Sequence, residues 1–405
     1  MTKGGLHMKN KDNMDCHEHR PQDSFALIDR RSFIKRTAAG AAVFATASIG
    51  PWFIRNALSS SGTLNLFTWQ DYSKPEVISA FESATGIKVN VTNYGSNQEC
   101  MKRLIAAKAT GFDIAQPSLT EFNLHMEYDL YQEVAESKIP NLGNIIETFY
   151  KKSKILGGVI RGKHVGLPYN WGTEAVAWNT DKYSFKYGEL SFGTMWQREY
   201  KQKATCRPHS AFLGAGLYLD FIGKVPSNRM YDTYHTQTKM RKVYDQILKF
   251  LLKHKKNVKT FWNNFQDHLT AFEEKGCLIG QTWDGPMLNL KKEGKPFSYM
   301  APKEGALCWV DSMAIVKNAK NIEQAYAFIN WAYTPEVGAI MAKATGYNSV
   351  VKGAAELLDD ATKKGFAEAY PGDALDNLWW YPSELTYFVS TRNEYKEKYL
   401  AAFAD

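Results

Sequence analysis

The chain has 405 residues, long enough for two lobes that each bury a core. Its 50 basic and 42 acidic side chains give a net charge of +8. They are spread along the chain rather than gathered into the basic stripe of a nucleic-acid binder, so nucleic acid is excluded as a partner.

Residues 1–62 stand apart as a leader. Asp29-Arg30-Arg31-Ser32-Phe33-Ile34-Lys35 precedes a small-residue apolar run from Ala38 to Ile49, the order of an export signal. The adjacent arginines read as a twin-arginine signal, which predicts passage through the twin-arginine translocase and a periplasmic location. Ala45-Thr46-Ala47 is a candidate cleavage site. Without residues 1–47 the chain holds 42 basic and 37 acidic residues, an excess of only +5. Cys16 lies in the leader. Cys100, Cys206, Cys277 and Cys308 show no CxxC spacing, which leaves disulfides and buried thiols both open.

Leu64 to Tyr72 is the most informative stretch. An alternating apolar run ends in Trp69, Asp71 and Tyr72; a helical pattern over Pro75–Thr85 closes at Gly86, and Ile87–Val91 reads as a second strand. Strand, loop, helix, strand is a βαβ unit, and in open α/β sheets ligands sit at the carboxyl ends of strands. Two rings and a carboxylate at that place suit an organic cation. Phe112–Ala115 predicts a third strand, ending in Gln116-Pro117-Ser118. Thr173–Asn179 alternates like a strand crossing between lobes. Tyr231–Lys255 is helical by its apolar spacing. Cys277–Trp283 and Cys308–Val316 read as strands, Ile322–Tyr333 as an amphipathic helix, and the tail as helical. Alternating α and β with two crossings predicts two α/β lobes around a cleft that closes by hinge motion.

The ordered pieces FTWQDY at 67–72, FDIAQPS at 112–118, LPYNWGTEAVAWN at 167–179, GQTWDG at 280–285, the WVDS segment at 309–312 and TGYNS at 345–349 resemble the periplasmic solute-binding proteins of ABC importers, nearest the spermidine/putrescine-binding family. The resemblance implies an α/β, two-lobed type II periplasmic-binding fold with hinge strands and a central ligand cleft. Lobe 1 would take residues 63–172 and 285–328; lobe 2 would take 173–284 and 329–405, with a helical tail. It also implies a transport role: capture of a putrescine- or spermidine-class cation and delivery to a membrane permease, with no cofactor and no enzyme activity. Family positions carried onto this sequence are Trp69, Tyr72, Ser118, Trp262, Trp283, Asp311 and Tyr347. The acidic pair usual in the second lobe is missing from Ala204–Phe212, which holds Arg207 and His209 instead. Asp71, Glu174 and Asp284 are the alternative carboxylates. A zwitterionic or anionic amine on the same fold is the alternative ligand, with a periplasmic enzyme as the remaining rival.

Each residue also has a plainer reading. Asp311 either caps a helix or meets a cation, and the cation is favoured because an unpaired buried carboxylate is costly. Glu174 is equally a hinge ion pair. Trp262 could staple a helix; Trp309 reads as core or, sharing a strand face with Asp311, as cleft lining; Trp379-Trp380-Tyr381 reads as a packing knot or a closing element, and Arg207 as a surface charge first and a ligand clamp second. The sequence has no G-x-S-x-G elbow, Walker loop or H-E-x-x-H.

Overall fold

The computed structural model describes residues 62–404. The leader, its twin-arginine motif and Cys16 lie outside the described residues. The strands, in chain order, are β1 (Thr63–Trp69), β2 (Lys88–Tyr94), β3 (Ile114–Ala115), β4 (Val159–Ile160), β5 (Lys163–His164), β6 (Leu167–Asn179), β7 (Ala204–Cys206), β8 (Val258–Phe261), β9 (Ile279–Trp283), β10 (Phe297–Met300), β11 (Leu307–Ile315), β12 (Asn348–Ser349) and β13 (Trp379–Trp380). The main sheet runs β2-β1-β3-β11-β6-β9-β7-β8, with β10 and β12 on β6 and β13 on β11.

The first lobe grows from the predicted βαβ unit. β1 and β2 pair in parallel in the register Thr63↔Lys88 to Trp69↔Tyr94. Between them lies the helix Pro75–Thr85, with proline in its first turn and Gly86 at its end. Gly86 takes φ +74°, a left-handed conformation that glycine adopts without a Cβ penalty. β3 pairs with β1 in parallel. The second lobe repeats the theme: β9, β7 and β8 are parallel neighbours. The helices Ala211–Phe221 and Gln237–Lys253 contribute Phe212, Tyr244 and Ile247 to its core.

Two long strands join the lobes. β6 and β11 pair antiparallel from Leu307↔Glu174 to Met313↔Leu167, with an irregularity between Asp311 and Ser312. β6 is buried from Leu167 to Trp178, as expected of a strand covered on both faces. The passage expected to begin as a strand at Thr173 therefore begins at Leu167. At Gly172 an added Cβ would come within 2.5 Å of the Trp309 ring, so glycine is what lets that indole lie across the crossing strand.

The helix Ile322–Ala332 runs through the expected lobe boundary at 328/329, and Ala325, Phe328, Ile329 and Trp331 all lie in the first core. The following helix, Pro335–Thr345, adds Val337 and Met341 to the same cluster. The tail divides. Trp379-Trp380 is strand β13 beside Leu307-Cys308, and only Thr386–Ala401 is its long helix, packed on Gln237–Lys253. Cys100, Cys206, Cys277 and Cys308 are free and buried. Among the described residues, no helix is long and apolar enough to cross a membrane.

Candidate functional site

A cleft of about 90 Å³ opens where the strand ends of the two lobes meet. Trp69, Asp71, Tyr72, Ser118, Glu174, Trp283, Asp311 and Tyr347, all expected from sequence, line it. So do Trp309, on the strand face it shares with Asp311, and Arg207, which sequence reading placed first on the surface.

Asp311 is the centre of the first-lobe wall. The break in β11 pairing turns it toward the β3 loop, where it forms an isolated bridge with Ser118. Ser118 Oγ donates to its Oδ1 at 2.6 Å and Tyr72 Oη to its Oδ2 at 2.5 Å. Tyr72 also reaches Asn170 Oδ1 at 3.1 Å. Burial is the main cause that raises the Asp311 carboxyl to about 7; the two hydroxyls work the other way. Asp71 is likewise raised by burial, with the Tyr347 hydroxyl opposing. The aromatic wall is continuous: Tyr72 lies 5.6 Å from Tyr347, and Tyr347 5.1 Å from Trp309, both edge to face. Trp69 is fixed by Nε1 donating to Gln116 O at 2.9 Å.

The second-lobe wall has different chemistry. Glu174 of β6 accepts from Gln281 Nε2 at 2.7 Å, and burial raises its carboxyl. Arg207 follows β7, and its guanidinium lies over Trp283 at 5.0 Å and Trp262 at 5.5 Å. Burial lowers the Arg207 value, with Glu174 opposing. His209 is pushed well below the ordinary imidazole value by burial and by the charges of Arg207 and Arg392.

Two expected site residues do not line the cleft. Trp262 is fully buried, donates Nε1 to Gln281 O at 3.0 Å and packs edge to face on Trp283 at 4.8 Å. It supports the wall from behind. Asp284 sits in the first turn of the helix Asp284–Lys292, where its carboxylate accepts from Gly285 N at 2.9 Å and Tyr370 Oη at 2.6 Å. A helix N-terminus favours such a charge, and these local donors explain why Asp284 turns inward.

Sequence reading missed Glu121, His209, Glu384 and Arg392, which also line the cleft. Glu384 and Arg392 form a buried ion pair, 3% and 4% exposed. Burial acts to lower Arg392, but the charges of Glu384 and Glu121 prevail and hold it above its ordinary range. Glu121 is raised by burial and then by Glu384. The tail reaches this place because Glu384 N donates to Thr120 O at 2.8 Å, while the helix after it is held by Arg241 and Glu394 at 2.6 Å. Tyr381 from the aromatic knot joins the same wall.

Comparison with known proteins agrees with this architecture. The spermidine/putrescine-binding periplasmic protein of Salmonella typhimurium is 27% identical over 302 residues, 74% of this chain and 81% of that protein. The putrescine-binding periplasmic protein PotF of Escherichia coli is 26% identical over 336 residues, 78% of this chain and 85% of its own. A crystal structure of PotD, the substrate-binding protein of a spermidine/putrescine ABC transporter from Streptococcus pneumoniae, superposes with a TM-score of 0.66 at 26% identity. That match covers 84% of this chain and 99% of the other. The family described as bacterial extracellular solute-binding protein matches residues 76–369. With most of its described length inside that match and the two-lobed cleft in place, this chain belongs to the bacterial extracellular solute-binding proteins.

Proposed function

We propose that this protein is the extracytoplasmic receptor of an ABC importer, capturing a polyamine or similar small organic cation and handing it to a membrane permease. The single observation that carries the reading is Asp311: a buried carboxylate held by two hydroxyls inside an aromatic-walled cleft. Each carboxylate oxygen offers two lone-pair directions, so an ammonium adds to Tyr72 and Ser118 rather than displacing them. The rings of Trp69, Tyr72, Trp309 and Tyr347 attract the same cation and cover its methylenes. The names of the relatives, which bind spermidine and putrescine, support the same ligand class.

Size narrows the ligand. The cleft's 90 Å³ is small, which suits a small amine. The role is binding rather than catalysis: two lobes close on the ligand, which is released unchanged. The test is thermal shift and calorimetry on the chain from residue 62 onward with putrescine, spermidine and related amines. A ligand at a hundred times its Kd stabilises by about 2.7 kcal/mol. A clear rise in Tm with at least one amine-bearing ligand is expected. No shift with any amine overturns the proposal.

A further inference from the structure

Arg207 is the residue that the amine reading leaves unexplained. Its backbone is anchored: it follows β7, precedes Pro208, and its carbonyl accepts from Ala211 N at 3.0 Å as the next helix begins. Its guanidinium is steadied by the faces of two indoles that brace each other. A ring face attracts the flat side of a guanidinium and leaves its in-plane N–H donors unused. Among the described residues, no carboxylate oxygen lies within 4.0 Å of those nitrogens, and no acceptor takes a hydrogen bond from them. Arg392 shows the contrast: in the same cleft its charge is met by Glu384.

The carboxyls that face Arg207, those of Glu174, Asp71 and Glu121, act on it by charge but form no ion pair with it. Glu174 comes from β6, but Gln281 holds its Oε1. His209 is held neutral and adds no repulsion. Tyr381 and Arg392 come from the tail. An ammonium placed here would meet an uncapped guanidinium, whereas a carboxylate would fit its planar fork with two parallel hydrogen bonds.

We propose that the ligand has unlike ends, an ammonium received by Asp311 and a carboxylate clamped by Arg207, and is thus a short ω-amino carboxylate rather than a diamine. This rests on the reading that the cleft binds an amine. Two probes of equal chain length and suitable size, 4-aminobutanoate and 1,4-diaminobutane, decide between the ends. Calorimetry on the wild-type protein should show the amino acid binding at least about tenfold tighter than the diamine. Arg207→Gln should cost the amino acid between about tenfold and a hundredfold and reverse the order, since a charged hydrogen-bond pair is lost. Tighter binding of the diamine by the wild type overturns the carboxylate clamp and leaves the amine receptor standing. Binding of neither overturns the clamp, and the amine reading falls with it only if every amine of the thermal-shift series also fails. The wild-type comparison decides even if the variant fails to fold.

Discussion

Asp311→Asn should separate the cost of this cleft from its use. The carboxyl stands at about 7 in the folded protein against an ordinary 3.8, chiefly because burial disfavours its charge. That displacement corresponds to roughly 4 kcal/mol between the two protonation states. The sign follows from proton binding. Between about pH 4 and pH 7 the folded protein holds a proton that the unfolded chain has released. Stability therefore falls as pH rises through that window and stays low above it. Asn has nearly the same shape, and the Tyr72 and Ser118 hydroxyls can rotate to meet its amide. At about pH 8 the variant should be more stable than the wild type when empty, by up to about 4 kcal/mol, seen as a rise of several degrees in Tm. Affinity for the amine should move the other way. Loss of a charged partner is worth about 1.5–3 kcal/mol, between about tenfold and a hundredfold in Kd. Asp284, also raised to about 7 by burial, adds the same slope to both proteins, so the difference between them is the quantity to follow. Asp71 faces Asp311 and pushes it up further. Melting curves from about pH 5 to pH 8, with and without putrescine or 4-aminobutanoate, read both effects. A variant that melts lower at pH 8 and keeps wild-type affinity refutes the reasoning: Asp311 would then be a structural hub.

Three further changes follow from the packing. Arg392→Met leaves Glu384 and Glu121 buried without their counter-charge and should cost about 3–5 kcal/mol in a denaturant melt; adding Glu384→Gln should recover a large part, and no recovery would contradict the assigned pairing. Gly172→Ala drives a methyl group to within 2.5 Å of the Trp309 ring, so it should cost about 1–3 kcal/mol and weaken ligand binding together, whereas a neutral result would show that the indole is not held there. In the chain from residue 62 onward, the four cysteines should resist a thiol reagent in the native state and all react after unfolding. A Tm lowered by reductant would show a disulfide instead.

How far the sequence reaches depends on where each contact is made. The βαβ start was legible because its signals are local: an alternating run, a proline-led helix and a closing glycine. The rule that puts ligands at strand ends found Trp69, Asp71 and Tyr72, and it applies equally to Arg207, which directly follows β7 as Asp71 closely follows β1. What hid Arg207 was its polar neighbourhood in sequence, which reads as surface until the two indoles beneath it are seen. Trp262 and Asp284 satisfy the same rule yet face inward, because a backbone carbonyl and a helix N-terminus supply better partners. Glu121, Glu384 and Arg392 were beyond local reading. Their meeting depends on a tail that lies past the matched family region and returns to the first lobe at Thr120.

These placements bear on how a closing cleft selects its ligand. Asp311 is held by first-lobe groups, Ser118 and Tyr72, while Arg207 rests on the second-lobe indoles Trp262 and Trp283. Closed and empty, the cleft holds a carboxyl driven toward neutrality by burial, which raises the free energy of that state, beside a guanidinium with no protein acceptor among the described residues. A ligand can shift the balance toward closure only by binding the closed form better than the open one. A molecule that satisfies one wall alone gains about as much from the open form, so it contributes little to closing. A molecule with unlike ends meets both walls at once, and only when the lobes meet. The Glu384–Arg392 pair has a distinct part: it joins the tail helix to the segment whose Glu384 N bonds Thr120 O, a contact with the first-lobe loop that needs no ligand.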